Sequence, residues 1–124
     1  MKRTARVVWT GGINEGGDQT TTGSGKEAKP EELVAPAHAR CFSMALAQTL
    51  DEAGLTATSI TTDAEITLDK SESGYEITGS HLIVTAEVPG AKATPFEALA
   101  RKTLAGSPIS KLLRNPITMT ARLA

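Results

Sequence analysis

The stretch Pro30-Glu31-Glu32-Leu33-Val34-Ala35-Pro36-Ala37-His38-Ala39-Arg40-Cys41-Phe42-Ser43-Met44-Ala45-Leu46 decides the fold and holds the only cysteine of the 124-residue chain. Pro30 suits the first position of a helix, where its missing N–H is not needed, and Glu31 and Glu32 complement the positive end of the helix dipole. Apolar residues continue most of the way round, which predicts a long helix buried on most sides, reaching about Ala53 and ended by Gly54 in the left-handed conformation. Pro36 removes one backbone donor inside it and is expected to kink it. The segment from Leu33 to Leu50 has roughly the length of a membrane span. His38, Arg40 and Gln48 fall inside it, and ionisable groups at that depth are costly in lipid. The reading is a buried helix of a soluble protein, with no membrane partner.

Upstream, Ala5, Val7 and Trp9 alternate with Arg6, Val8 and Thr10, so residues 2–10 read as a strand. The turn-rich segment from Gly11 to Lys29 holds either a short hairpin or a loop, and its composition does not separate the two. Its Gly25-Lys26 pair is no phosphate loop, because Glu27 stands where Ser or Thr must hold the metal. Downstream, Thr58, Ile60, Thr62, Ala64, Ile66 and Leu68 alternate with polar residues, and Ser71-Glu72-Ser73-Gly74 turns the chain. Tyr75 and Ile77 occupy odd positions while Leu82, Val84, Ala86 and Val88 occupy even ones, so a bulge is expected near Gly79. Thr94-Pro95-Phe96-Glu97 has the pattern of a capping box opening a helix. Ser107-Pro108 opens a short one, with Ser107 as its cap and Asn115-Pro116 as its end. Ile117, Met119, Ala121 and Leu123 form a last alternating strand. The class is α+β: an antiparallel sheet packed around a long central helix, in one domain over residues 1–124.

Thirteen basic against fourteen acidic residues give a net charge of −1, so there is no electrostatic footprint for nucleic acid or an anionic membrane. A single cysteine excludes an internal disulfide framework and fits a reducing cytoplasm. The start Met1-Lys2-Arg3-Thr4-Ala5-Arg6-Val7-Val8-Trp9 has no apolar core for a signal peptide. One cysteine with His38 and His81 makes no zinc spacing, Gly23-Ser24-Gly25 is no nucleophile elbow, and no dinucleotide fingerprint occurs, so neither metal nor cofactor is expected. The remaining reactive atom is the Cys41 sulfur. Taken alone, a cysteine in mid-helix is more often a small buried hydrophobe than a nucleophile. His38, one turn back, is more often satisfied by a neighbouring carbonyl than poised beside a thiol. Arg40 is turned about 100° away from Cys41 on the helix.

The motif Pro30-Glu31-Glu32-Leu33 followed by Ala37-His38-Ala39-Arg40-Cys41-Phe42-Ser43-Met44-Ala45-Leu46 resembles the OsmC/Ohr family of thiol-dependent hydroperoxide reductases. The resemblance continues through Glu52-Ala53-Gly54-Leu55, the segment from Thr61 to Lys70, Ala86-Glu87-Val88-Pro89-Gly90 and Ala105-Gly106-Ser107-Pro108-Ile109-Ser110-Lys111. It implies the OsmC-like fold as an interlocked homodimer with sites at the interface, Cys41 as the peroxidatic cysteine and Glu31 as the active-site glutamate. It also implies an organic hydroperoxide as substrate and an external thiol or dithiol as reductant. Two departures stand out. Ser107 occupies the position of the family's resolving cysteine, and no arginine occurs between Gly11 and Lys29, where the family carries one; Lys26 and Lys29 are the cations there. Glu31 and Cys41 are separated by about 15 Å along a straight helix, so a shared site needs either a drastic kink at Pro36 or Glu31 from the partner subunit, and the partner is the preferred reading. The expected function is a one-cysteine peroxidase of oxidative-stress defence. The apolar neighbours of Cys41, namely Phe42, Met44 and Ala45, suit a fatty or aromatic peroxide and also serve as core. The alternative is an OsmC-like small-molecule or lipid-binding protein that has lost turnover.

Overall fold

The computed structural model describes residues 2–12, 17–22, 30–112 and 117–124. The elements are β1 (Lys2–Thr10), β2 (Gly17–Thr22), α1 (Pro30–Glu52), β3 (Ser59–Ser71), β4 (Gly74–Glu87), α2 (Ala93–Gly106), α3 (Pro108–Leu112) and β5 (Ile117–Leu123). Alternation drives the strands: along β3, Ile60, Thr62, Ala64, Ile66 and Leu68 are all buried while their odd-numbered neighbours are not. The five strands form one sheet in the order β2-β1-β3-β4-β5. The turn-rich segment after β1 does hold a hairpin, since β2 pairs antiparallel with β1, Ala5 facing Thr22.

Three of the four pairings are antiparallel, and β5 departs from the all-antiparallel expectation by lying parallel to β4. The connection explains this. After Glu87, α2 and α3 carry the chain back to the middle of β4, where Ile117 faces Ser80, and a crossover of that kind returns the next strand in the same direction. The expected bulge is present. Gly79 faces Thr67 and Ile77 faces Leu68, leaving Thr78 as the extra residue. That shift brings Ile77 and Ser80 each to its own parity without losing the pairing on either side.

Helix α1 packs against β1 and β3, α2 packs against α1 and β5, and α3 against α1 and α2. Ala35, His38, Ala39, Phe42, Ser43, Leu46, Ala47 and Leu50 are buried, a spacing of three and four that puts them on one stripe of the helix. Burial on most sides is not what a single chain achieves: Ala37, Arg40, Met44 and Gln48 are exposed on the opposite side. Two hydroxyl pairs fix the helix at its seams. Ser43 donates to the Ala39 carbonyl at 2.8 Å and so accepts from the Thr62 hydroxyl of β3, also at 2.8 Å. The hydroxyls of Thr49 and Thr103 lie 3.0 Å apart between α1 and α2. Among the described residues, no helix is long and apolar enough to cross a membrane.

The helix ends as its residues require. Gly54 has φ +79, its N–H donates to the Asp51 carbonyl at 3.0 Å, and the Leu55 N–H donates to the Leu50 carbonyl at 2.8 Å. These are the paired bonds of a Schellman cap. The start of α2 differs from the capping box at Thr94. The helix begins at Ala93 with Lys92 as its cap, in extended conformation and with no side-chain cap bond. Pro95 therefore sits third in the helix, still within the first turn, where no backbone donor is needed. Asn115 and Pro116, expected to end the last helix, lie outside the described residues.

The two helix-end glycines should respond oppositely to alanine. At Gly54 the left-handed backbone makes Gly54→Ala destabilising by about 1 kcal/mol. Gly106 has no positive φ and open space around an added Cβ, so Gly106→Ala should be neutral or stabilising by up to ~1 kcal/mol. Urea denaturation midpoints compare the two.

Candidate active site

Cys41 sits midway along α1, half-buried and free of any disulfide. Its Sγ lies 3.2 Å from the Oγ of Ser107, which joins α2 to α3 and is fully buried. The local sequence dictates that approach. Proline disfavours the helical conformation in the residue before it, and Ser107, preceding Pro108, is extended at φ −67, ψ 135. Its N–H closes α2 on the Thr103 carbonyl at 3.0 Å and its carbonyl accepts from the Lys111 N–H at 3.0 Å, opening α3. With its backbone held at both ends, the side chain turns toward α1. The hydroxyl expected to cap α3 points instead at the thiol, a sulfur–oxygen contact within hydrogen-bonding distance.

His38 is the second group of the site. It is fully buried and both ring nitrogens have hydroxyl partners: Nδ1 is 2.8 Å from Ser80 Oγ on β4, and Nε2 is 3.1 Å from Ser110 Oγ on α3. The satisfied histidine read from sequence is present, with serine hydroxyls in place of a carbonyl. Burial pushes its pKa down from 6.5 to about 4, so the ring is neutral near pH 7, donating from one nitrogen and accepting at the other. A neutral ring brings no positive charge to the thiol one turn away.

The other residues singled out from sequence divide clearly. Position 107 meets Cys41. Glu31 lies in the first turn of α1, and because α1 is continuous from Pro30 to Glu52, one chain keeps it about 15 Å from Cys41 along the axis; its side chain lies outside the described residues, as do Lys26 and Lys29. Arg40 is exposed on α1. Phe42 is fully buried, so of the two roles expected for it, core and peroxide contact, it takes the first. Met44, 49% exposed, and half-buried Ala45 remain on that side. A cavity of about 370 Å³, lined by Glu97, Arg101, Leu104, Met119 and Ala121, lies between α2 and β5 and contains none of the site residues. The serines holding His38 are absent from the motif-based reading, yet each carried a signal. Ser80 shares the inward parity of Leu82 and Val84, and Ser110 follows Ser107 by one helical turn.

The sequence model described as OsmC-like protein matches residues 23–122. The chain belongs to the OsmC-like family. This OsmC-like chain is similar to the peroxiredoxin OsmC of Escherichia coli K12, at 40% identity over 139 aligned positions, covering 99% of this chain and 97% of that protein. Its fold is similar to the organic hydroperoxide resistance protein OhrB of Bacillus subtilis, with a TM-score of 0.64, 22% identity and 97% of each chain covered. It is likewise similar to the organic hydroperoxide resistance protein OsmC of Legionella pneumophila, with a TM-score of 0.66, 22% identity, and 95% and 94% of the two chains covered. At these identities the two structures speak for the fold.

Burial of His38 makes the fold sensitive to mild acid. Above pH 6.5 the ring is neutral in folded and unfolded chains alike. Between 6.5 and about 4 the unfolded chain takes up a proton that the folded one refuses, so stability falls with pH through this window and the contribution levels off below it. A shift of this size corresponds to at most about 3 kcal/mol. Denaturation of wild type and His38→Gln at pH 7 and pH 4.5 should show a smaller acid-induced loss in the variant.

Proposed function

We propose that this chain is a thiol-dependent peroxidase that reduces organic hydroperoxides through Cys41 in oxidative-stress defence. Residues 1–124 act as one OsmC-like domain in a cytoplasmic homodimer. The observation that carries the reading is the half-buried Cys41 sulfur, 3.2 Å from a hydroxyl able to donate to it, in a chain similar over its length to a peroxiredoxin. The Cys41 thiolate attacks the O–O bond: an S–O bond forms, the O–O bond breaks, and the alkoxide leaves and takes a proton to become the alcohol. Sulfur is oxidised to a sulfenic acid and the peroxide is reduced. Ser107 has no thiol with which to close a disulfide. An external thiol or dithiol of the dihydrolipoamide class attacks the sulfenic acid directly, releasing water, and a second thiol then frees Cys41 as the thiol. Met44 and Ala45 give the approach an apolar side suited to an organic peroxide.

The homodimer reading rests on α1. Ala37, Cys41, Met44, Ala45 and Gln48 follow one another at helical spacing on the side turned from the sheet, and Met44 is the exposed large hydrophobic of the described residues. A second copy laid across this stripe in a two-fold interface covers it and brings the partner subunit's Glu31 within reach of Cys41. Lys26, Lys29 or the partner's Arg40 then takes the place of the family arginine beside the thiolate.

A second reading is favoured by Ser107 and by the missing arginine: an OsmC-like binder of small molecules or lipids without turnover. Such a binder has no need of a thiol or of Glu31 in particular.

Three outcomes test the proposal. After one equivalent of cumene hydroperoxide, mass spectrometry should find one added oxygen on Cys41; an unmodified thiol with the peroxide still present points to the binder. Ser107→Cys, treated with peroxide, should give a disulfide between position 107 and Cys41 and block overoxidation of Cys41 to the sulfinic acid. Sedimentation should show a dimer that Met44→Glu shifts toward monomer.

A further inference from the structure

Two polar contacts join α1 to the short helix α3, and they are arranged as rungs. Cys41 meets Ser107 and His38 meets Ser110. Each step is three residues, backward along one helix and forward along the other, so the segments run antiparallel and the contacts lie one turn apart. The Ser107 rung is held by its backbone bonds to Thr103 and Lys111, whereas the His38 rung continues through a side chain: by way of Ser80, itself buried, it reaches strand β4. Helix α3 spans five residues, too few to hold a position by helical propensity alone. Something outside it must fix where it lies.

We propose that His38 is a positioning residue: bridging Ser80 on β4 and Ser110 on α3, it holds α3 where the Ser107 hydroxyl rests on the Cys41 sulfur. The chain of contacts is then β4, His38, Ser110, α3, Ser107, Cys41. Ser107 is the end that acts. Its hydroxyl is fully buried and turned to the sulfur, so when the thiol loses its proton the hydroxyl donates to the thiolate and stabilises it in place of water. His38 does not touch the reacting atoms. It sets the distance across which that donation works, and a shift of α3 by a fraction of an ångström at Ser110 is passed to Ser107 within the same helical turn.

The inference rests on Cys41 being the reactive group of the proposed function, but its test needs neither peroxide nor reductant. Alkylation of Cys41 by iodoacetamide is followed from pH 5 to 10 in wild type, Ser107→Ala, Ser110→Ala and the double variant, with near-UV circular dichroism confirming the fold. Ser107→Ala should slow alkylation at pH 7 roughly fivefold to tenfold by removing one charge-assisted hydrogen bond, and the rise with pH should move upward. Ser110→Ala should move the profile the same way by less. Ser110→Thr, which keeps a hydroxyl, should restore it. The double variant should react no more slowly than Ser107→Ala alone, because Ser110 acts only through Ser107. An unchanged or faster Ser110→Ala, or effects that multiply in the double variant, overturns the proposal. If Ser110→Ala loses its near-UV spectrum, His38→Gln carries the same comparison. Oxidation of Cys41 by peroxide alongside uncoupled serines removes this inference and leaves the proposed function standing; coupled serines with no peroxide chemistry do the reverse.

Discussion

The buried stripe of α1 from Ala35 to Leu50 can be hidden in only one rotation of the helix about its axis. That rotation fixes the direction of every other residue on it. Turning Phe42 and Leu46 into the core places His38 toward β4 and α3, leaves Cys41 at the boundary between buried and open, and puts Met44 outside. The position of the sulfur is thus a consequence of packing. Hydrophobic contact alone would tolerate sliding along the helix axis, and the hydroxyl pairs Ser43–Thr62 and Thr49–Thr103 oppose it. Each links α1 to a different element, and a buried polar group that loses its partner costs about 1–3 kcal/mol.

The other half of the site is set by a single dipeptide. Pro108 disfavours a helical Ser107; α2 ends there with Ser107 in extended backbone, which turns the chain and presents Ser107 to the helix beneath. In a family whose second cysteine stands here, the same turn would present a thiol. With serine, the turn keeps its geometry and trades disulfide chemistry for a hydrogen bond to the sulfur. The contact at 3.2 Å is that bond, and with no thiol at position 107 the proposed chemistry ends at a sulfenic acid that an outside thiol must clear.

Much of this was legible in the sequence, because periodicity reports burial directly. The alternation along β3, the Gly54 cap of α1 and the parity change that became the Thr78 bulge were all read correctly. The family motif likewise placed residue 107 beside Cys41. What was missed depends on tertiary context. The parallel direction of β5 follows from how far α2 and α3 carry the chain, which local patterns do not encode. Thr94 has a capping side chain, yet the helix begins two residues earlier than that cap implies, because Lys92 already adopts the extended conformation of a cap. The partners of His38 come from β4 and α3, both distant in sequence, and the choice between core and substrate contact for Phe42 is made only by packing, which draws it inward.

The family and the fold stand on the similarity of the whole chain, and the proposed activity rests on one atom, the Cys41 sulfur. Steady-state consumption of cumene hydroperoxide with dihydrolipoamide as the reductant, compared between wild type and Cys41→Ser, tests that dependence most directly. The account predicts repeated turnover by the wild type, proportional to protein concentration, and a rate for Cys41→Ser no greater than that without protein. Equal consumption by the two proteins, or none above background by the wild type, would contradict it.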